Sequence, residues 1–275
     1  MKNKVKQISE DLKSIDIIGL VETWHSASDP SIFNSFSVEH VARKPAGNMR
    51  CYGGITVLLS KARFRSYHRI ASNSENILWV RLELVRNKWM TLGSVYIAPQ
   101  NSSYNREETW DVLAEELSRL RRDFTEDVFV VTGDFNAYTG ALLEMESVSF
   151  REVPDLVPSE YGMPRNSRDM DRKVNCWGRR LLELCSENGL IIGNGRFGTD
   201  GGVGEFTCMS GARPSLIDYV LVDSGLAAQS VDVEVLQLVG SDHWPVKLEL
   251  AIEVEGKRSG IGKRYETVGQ EKFRV

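Results

Sequence analysis

Cysteine and histidine are both scarce in this 275-residue sequence, with four residues of each. The cysteines form no Cys-x-x-Cys pair, and no histidine lies at zinc-finger spacing from them, which argues against a structural zinc site. We therefore expect free thiols at all four positions. These are Cys51, Cys176, Cys185 and Cys208.

Long apolar segments are also absent. After Met1 the chain reads Lys-Asn-Lys-Val-Lys-Gln, without the apolar core or the cleavage-like site of a secretory signal. No uninterrupted apolar run reaches the length that spans a bilayer. These absences predict an intracellular protein, cytoplasmic or nuclear, that is not secreted.

A strong charge of one sign is missing as well. The net charge is −4, so the chain as a whole does not attract a polyanion, and nucleic-acid binding would require a local basic patch. The stretch 165–180 is the candidate patch, although a solvated loop face explains its composition equally well. Its basic residues are Arg165, Arg168, Arg172, Lys173, Arg179 and Arg180, set against Asp169 and Asp171.

The remaining composition is that of an ordinary globular protein, with 41% hydrophobic and 26% charged residues. The length is compatible with one or two domains, and single α/β domains of this size are ordinary. We expect one domain over residues 1–252. The segment 253–275 is polar and repeats Gly-Lys-Arg, which predicts a flexible tail.

The most informative stretch is Val128–Ala137, in which an apolar run of strand formers stops at Gly133. Asp134 and Asn136 follow at once. Side chains two residues apart on a strand point the same way, so a carboxylate that can accept a proton lies beside an amide that can orient a substrate oxygen. The alternative is a Gly-Asp turn, capped by the asparagine, through which the strand leaves its sheet.

Apolar periodicity predicts three helices, over Lys4–Ile15, Arg106–Arg122 and Asn175–Asn188. The short Arg-Asn-Lys link predicts a hairpin between the third and fourth strands, and we expect the second strand to lie beside this pair. The predicted strands, in order, are Asp16–Val21, Ile55–Ser60, Ile77–Leu84, Trp89–Ile97, Val128–Gly133, Leu190–Ile192, Glu205–Cys208, Ser215–Asp223 and Val246–Ile252.

Polar side chains lie at the ends of five of the predicted strands. Singly they have ordinary explanations: a glutamate past a strand is usually a surface residue, a strand-end tyrosine usually packs, and Asp-His can form a turn. Together they predict a site. Carboxylates without matching arginines repel one another, so such a cluster usually holds a divalent cation, and Mg²⁺ suits oxygen ligands and phosphate. The residues are Glu22, Tyr96, Asp134 with Asn136, Asp218, and Asp242 with His243.

Six short segments contain these residues, and they span almost the whole chain. They are Asp16–Trp24, Gly53–Ser60, Val95–Pro99, Gly133–Ala137, Ile217–Leu221 and Ser241–Pro245. In order and spacing they resemble the endonuclease/exonuclease/phosphatase superfamily, and within it the endonuclease domains of LINE-type (non-LTR) retrotransposons. The resemblance implies a four-layer α/β sandwich, with two face-to-face mixed β-sheets flanked by helices. It also implies a metal-dependent phosphodiesterase that nicks DNA.

The resemblance implies a role for each residue near the attacking water. Glu22 would ligate the metal ion, which would be Mg²⁺ or, alternatively, Mn²⁺. Asp134 would position or deprotonate the water, and Asn136 would orient both the water and the phosphate. In-line attack on phosphorus builds negative charge, which a cation can stabilise.

The resemblance assigns four further residues to the phosphate. Asp218 would hold His243, and the imidazole would contact the scissile phosphate. Asp242 would supply a further metal-binding or orienting carboxylate. Tyr96 would stabilise charge on the phosphate oxygens through its hydroxyl group.

One departure from the family pattern concerns the start of the chain. Family members begin with a strand that carries an asparagine in an Asn-Val-x-Gly-Leu setting, whereas this chain begins at the following helix, and Asn3 lies in a different setting. We therefore expect the first strand to be missing and its neighbours to have unpaired backbone groups. The chain would then be a fragment, a truncated gene product or a degenerate copy with reduced activity.

Two alternatives to DNA nicking remain open at this point. The same site could hydrolyse a phosphomonoester or a phospholipid head group, as in other branches of the superfamily. The missing strand is instead typical of a non-catalytic remnant. The polar end is compatible with a linker to a reverse transcriptase in a longer parent protein, and equally with a natural terminus.

Overall fold

The computed structural model describes residues 15–23, 34–42, 53–85, 87–102, 108–144, 164–211, 213–228, 231–237, 241–255 and 268–274. These residues form strands β1 (Ile17–Val21), β2 (Phe36–Val41), β3 (Ile55–Ser60), β4 (Tyr67–Ile70), β5 (Ile77–Val85), β6 (Lys88–Tyr96), β7 (Val128–Asp134), β8 (Leu190–Ile192), β9 (Asp218–Asp223), β10 (Val231–Val235), β11 (Val246–Glu255) and β12 (Val268–Arg274). The described helices are α1 (Glu108–Asp123) and α2 (Cys176–Glu187). The predicted helix Lys4–Ile15 lies outside the described residues, apart from its last position.

A six-stranded sheet in the order β4-β5-β6-β7-β9-β8 forms the centre of the molecule. Its strands pair antiparallel except β6 and β7, which run parallel because α1 connects them on one face. Both helices are amphipathic, and their apolar stripes pack on this face with the sheet residues beneath them. Their large buried side chains are Trp110, Leu113, Leu117, Leu120, Trp177, Leu181 and Leu184.

Two separate three-stranded sheets, β1-β3-β2 and β10-β11-β12, contribute to the core on the opposite face. Alternate apolar residues of these strands bury against the six-stranded sheet, as expected for facing sheets. For example, Ile17 and Ile55 of the first small sheet are buried in the same hydrophobic cluster as Leu78 and Val130 of the six-stranded sheet. The predicted α/β sandwich of face-to-face sheets is therefore confirmed.

The strand Ile55–Ser60 does not pair with Ile77–Val85, so the expectation that these strands are adjacent in one sheet is wrong. β3 instead pairs with β1 and β2, and β5 pairs with β4, a short strand that the sequence pattern did not indicate. Strands that follow each other in the sequence often form a hairpin. Here the turn at 61–63 and strand β4 lie between β3 and β5, and the chain passes from one sheet to the other.

Two further expectations are corrected. Glu205–Cys208 is not a strand, because the side chains of Asp200 and Glu205 accept the hydrogen bonds of the Glu205 and Phe206 N–H groups in place of a ladder. Cys208 alone bridges to Ser215 and His243. At the other end, 268–274 of the expected flexible tail forms β12, antiparallel to β11. Every residue supplies backbone donors and acceptors, so a polar segment can extend a sheet.

β1 lies at the end of its sheet and hydrogen-bonds β3 along one edge. In the part of the chain that the structure describes, no strand pairs with its other edge. Gly19, in the middle of β1, is exposed although it faces Ser94 and Thr132 of the six-stranded sheet. The missing first strand remains a prediction, since residues 1–14 lie outside the described residues.

Candidate active site

Asp134 is the last residue of β7, and its position depends on the glycine before it. Gly133 has φ 145°, and a Cβ atom there would lie 1.9 Å from the Val95 carbonyl oxygen of the neighbouring β6. Only glycine therefore lets the two strands approach this closely. The Asp134 carbonyl accepts a 2.8 Å hydrogen bond from Ile97 N–H, and the residue is buried at the end of this interior strand.

Asp218 begins β9 directly opposite Asp134 in the antiparallel pairing. Its carboxylate lies against His243, whose Nδ1 is 3.0 Å from Oδ2 and 3.1 Å from Oδ1. The hydrogen bond to Asp218, reinforced by that residue's charge, raises the pKa of His243 to about 10. The imidazole is therefore protonated at neutral pH, and its Nδ1–H donates to Asp218.

The Asp134 carboxyl is held in an environment that disfavours its charge. Burial raises its pKa well above the ordinary value, and the nearby negative charges of Asp218 and Glu22 raise it further. The His243 charge and the Asn136 N–H oppose this effect. A proton acceptor with a raised pKa is the kind of group that general-base chemistry near neutral pH requires.

Asp134, Asp218 and His243 form a candidate metal-binding cluster. One potential ligand atom from each lies within 4.8 Å of those of the other two. Two carboxylates this close together fit a divalent cation, because a cation would relieve the repulsion that raises the pKa of Asp134. His243 Nδ1 is already hydrogen-bonded to Asp218, so the carboxylate oxygens of Asp134 and Asp218 are the better candidates for metal ligands.

Asn136 leaves the strand in the left-handed conformation, with φ 48°. Its N–H donates to Asp134 Oδ1 at 3.0 Å, and its side-chain Nδ2 donates to the Ile97 carbonyl at 2.9 Å. The bond to Ile97 uses one of the two Nδ2 hydrogens. The amide oxygen and the second hydrogen remain for a water molecule or a substrate oxygen.

The structure also describes the three remaining predicted site residues, Glu22, Tyr96 and Asp242. Glu22 follows β1 with φ 52°, and its negative charge contributes to the raised pKa of Asp134. Tyr96 ends β6 opposite Asp134 in the parallel pairing, and 8% of its surface is exposed. Asp242 is exposed and does not belong to the three-residue cluster found among the described residues. The functional roles of all these residues remain predictions.

Two buried polar residues that the sequence pattern did not reveal support the Asp218–His243 pair. Thr207 Oγ1 accepts hydrogen bonds from the Ile217 and Asp218 N–H groups at 3.2 and 3.0 Å. The Thr207 carbonyl accepts from Trp244 N–H at 2.7 Å, next to His243. Asn194 Nδ2 donates to the Asp218 carbonyl at 3.2 Å. Both lie in irregular segments, where no periodicity marks a buried position.

The arginines of the stretch 165–180 bind mainly to the protein itself. Arg165 is buried and donates to Thr139 and to a backbone carbonyl, so neither a basic patch nor a solvated face describes it. Arg172 pairs with Asp169 and stacks over Tyr138. Arg168 and Arg180 form exposed ion pairs with Glu205 and Asp111.

The described cysteines, Cys176, Cys185 and Cys208, are free thiols, as predicted, and Cys51 lies outside the described residues. Burial raises the pKa of the Cys185 thiol well above its ordinary value. Neither α1 nor α2 is long and apolar enough to cross a membrane.

A family model described as "Endonuclease/Exonuclease/phosphatase family" matches residues 1–243. Among curated proteins, the DNA-(apurinic or apyrimidinic site) endonuclease 2 of Schizosaccharomyces pombe is 32% identical over an alignment of 174 residues, and the match covers 58% of this chain. The match covers 30% of that relative's length, so the chain spans less than a third of it.

The fold is shared with solved structures, among them the following three. The endonuclease domain of TRAS1, a telomere-specific non-LTR retrotransposon, has TM-score 0.56 and 16% identity, covering 89% of each chain. The 3′ phosphatase NExo from Neisseria, bound to a product DNA hairpin, has TM-score 0.53 and 17% identity over 89% of this chain and 93% of that one. The human Nocturnin catalytic domain with bound sulfate has TM-score 0.52 and 13% identity over 90% and 85%. At these identities the likeness concerns the fold alone.

Proposed function

The chain belongs to the endonuclease/exonuclease/phosphatase family, whose members are hydrolytic nucleases and phosphatases, and we propose that it nicks DNA with a divalent metal ion. The proposal depends on one observation: Asp134 and Asp218, at the ends of two paired strands, lie close to each other and to His243, which precedes β11. The names of the curated relative and of the TRAS1 domain both describe endonucleases, which supports DNA as the substrate and a retrotransposon origin.

In the proposed reaction a water oxygen attacks phosphorus, the bond from phosphorus to the leaving sugar oxygen breaks, and that oxygen takes up a proton from solvent. Asp134 positions the water and accepts its proton, since its carboxylate lies at the end of β7 beside Asn136. The Asn136 amide oxygen accepts the second hydrogen of the same water and fixes its direction. A divalent cation, Mg²⁺ or Mn²⁺, held by Glu22 and the neighbouring carboxylates would neutralise charge on the phosphate.

The remaining residues act on the phosphate group. His243 is positively charged at neutral pH, and its Nε2–H donates to a non-bridging phosphate oxygen as negative charge develops there. Asp218 holds the imidazole in this orientation through Nδ1. Tyr96 donates from its hydroxyl to the phosphate, and Asp242 orients the cation or a water at the exposed rim.

The test is nicking of supercoiled plasmid with and without Mg²⁺, with Asp134→Ala as the inactive variant. Asp223→Ala is the matched control, because Asp223 ends the same strand that Asp218 begins and binds Arg121 away from the site. We expect Mg²⁺-dependent nicking by the wild type and the control, and its loss in Asp134→Ala. Absence of nicking by the wild type in both Mg²⁺ and Mn²⁺ would overturn the proposal.

Hydrolysis of a small phosphoester is a second candidate, since the NExo structure named as a 3′ phosphatase shares the fold. It predicts turnover of p-nitrophenyl phosphate or of a phospholipid head group that DNA does not inhibit. A non-catalytic remnant predicts instead that Mg²⁺ does not raise the melting temperature. A cooperative melt that Mg²⁺ shifts upward would exclude the remnant.

A further inference from the structure

The start of helix α2 reaches back to the segment that follows β7. Asn175 is the N-cap residue of this helix, and its Oδ1 accepts a 2.7 Å hydrogen bond from Gly178 N–H. The same oxygen accepts from Tyr138 N–H at 2.9 Å. The Asn175 backbone N–H in turn donates to the Tyr138 carbonyl at 3.2 Å. One side chain thus fastens the helix to the chain two residues beyond Asn136.

The other end of the same carboxamide contacts Asn136 directly. Asn175 Nδ2 donates to the Asn136 carbonyl oxygen at 3.0 Å. Asn136 is therefore held at three points. Its backbone N–H binds Asp134, its side-chain Nδ2 binds the Ile97 carbonyl, and its backbone carbonyl oxygen binds Asn175. A left-handed residue is tolerated only where its surroundings fix it, and these three bonds do so.

A second contact holds the acceptor of the Asn136 side chain in place. Trp177, in the first turn of α2, donates from Nε1 to the Ala98 carbonyl at 3.1 Å, one residue after Ile97. The beginning of the helix thus contacts both the Asn136 carbonyl and the segment that its side chain binds. A small shift of this helix end would move the Asn136 amide relative to Asp134.

We propose that Asn175 is a positioning residue for hydrolysis, which holds the Asn136 amide at the angle that aligns the attacking water. The inference rests on the proposed function, and it assigns different tasks to the two ends of one carboxamide. Oδ1 caps the helix and contributes to stability, whereas Nδ2 fixes Asn136 and contributes to catalysis. The alternative is an ordinary helix cap, for which the donor to Asn136 would not matter.

Asn175→Asp separates the two tasks. An aspartate keeps the oxygen that accepts from Gly178 and Tyr138, and it is a good N-cap residue beside the positive end of the helix dipole. It loses the donor to Asn136. Asn175→Ser also retains a capping oxygen, but it carries no charge and is too short to reach Asn136, so it shows whether a loss of activity comes from the added charge.

Asn188→Asp is the matched control at the other end of the same helix, about 20 Å away at 1.5 Å per residue. Asn188 Nδ2 donates to the Leu184 carbonyl at 2.9 Å, and its Oδ1 accepts from Ser118 at 3.1 Å. The same substitution therefore deletes one donor and keeps one acceptor. A negative charge at this end opposes the helix dipole.

Both Asn175 variants are expected to lower kcat for nicking by about tenfold with little change in KM, since misalignment of a water affects the chemical step. The melting temperature of Asn175→Asp should equal or exceed that of the wild type. Asn188→Asp should show the opposite pattern, with a lower melting temperature and unchanged kcat. Wild-type kcat in both Asn175 variants, or losses that follow melting temperature in all three variants, would overturn the proposal.

A readout without substrate separates this inference from the proposed function. In asparagine-¹⁵N-labelled protein, the Asn136 side-chain amide signals are assigned by their disappearance in Asn136→Ser. We expect both Asn175 variants to shift these signals and Asn188→Asp to leave them unchanged. If the wild type does not nick DNA but the signals shift as stated, the proposed function fails while the contact stands. Unshifted Asn136 signals would contradict the positioning role.

Discussion

Asp134 and Asp218 lie directly opposite each other across β7 and β9, so two carboxylates face the same end of the sheet. Burial and this neighbouring charge raise the pKa of Asp134 well above its ordinary value. In an acid, a raised folded-state pKa means that the fold favours the protonated form. The ionised form therefore destabilises the metal-free protein at neutral pH.

Asp134→Asn should raise the melting temperature at pH 7 in EDTA, by about 2–4 °C for each kcal/mol that is relieved. The amide keeps an oxygen for the Asn136 N–H and removes the charge. Thermal melts measure the shift, and nicking should be lost in the same variant. Asp127→Asn is the contrasting control, since that buried carboxylate pairs with Arg81 and its loss should lower the melting temperature. A lower melting temperature for Asp134→Asn would refute the repulsion argument.

The pH dependence of stability should reveal the Asp218–His243 bond. The pKa of His243 is raised from 6.5 to about 10, so its contribution is complete below pH 6.5 and disappears as the pH rises through 10. The difference in melting temperature between wild type and His243→Gln should therefore shrink between pH 7 and pH 10. Melts of both proteins in EDTA measure this difference. A difference independent of pH would contradict the raised pKa.

Thr207→Val should impair nicking by about tenfold and destabilise the protein by about 1–3 kcal/mol, because it leaves the buried Ile217 and Asp218 N–H groups without their shared acceptor. Thr207→Ser keeps the hydroxyl and should restore most of the kcat. Plasmid nicking and denaturant melts of both variants test the claim. Equal activities of the valine and serine variants would show that the hydroxyl does not hold Asp218.

Gly133→Ala should destabilise the fold by about 3 kcal/mol or more, since an added methyl group meets the Val95 carbonyl and the φ of 145° disfavours any side chain. Gly225→Ala is the control, because a Cβ atom there meets nothing within 4 Å. We expect the control to lie within about 0.5 kcal/mol of the wild type. Urea unfolding of the two variants measures the difference, and similar values would rule out the close approach of β6 and β7.

The sequence was sufficient to predict the residues at the strand ends, because they interrupt apolar runs of recognisable period. Asp134, Asp218 and His243 were found in this way, and the structure brings them together. Periodicity also located both described helices to within about two residues.

Periodicity could not assign strands to sheets. β3 was expected beside β5, but backbone hydrogen bonding to β1 and β2 decides its place, and these bonds are independent of side-chain type. Backbone hydrogen bonding also holds β12 against β11, which is why the polar sequence there predicts a flexible tail and the structure has a strand. The sequence does not reveal Thr207 and Asn175 as supporting residues, because a hydrogen bond to the Asp218 N–H group or to the Asn136 backbone carbonyl leaves no periodic pattern.

The candidate site draws Glu22 from the segment after β1 and His243 from the segment before β11, with Asp134 and Asp218 between them. Almost the whole chain must therefore be in place before the site exists, and no local hairpin or helix pair contains it. Loop closure over such separations makes these contacts slow to form. During refolding, recovery of nicking should lag behind recovery of helix signal, so that activity reports the last long-range contacts of the fold.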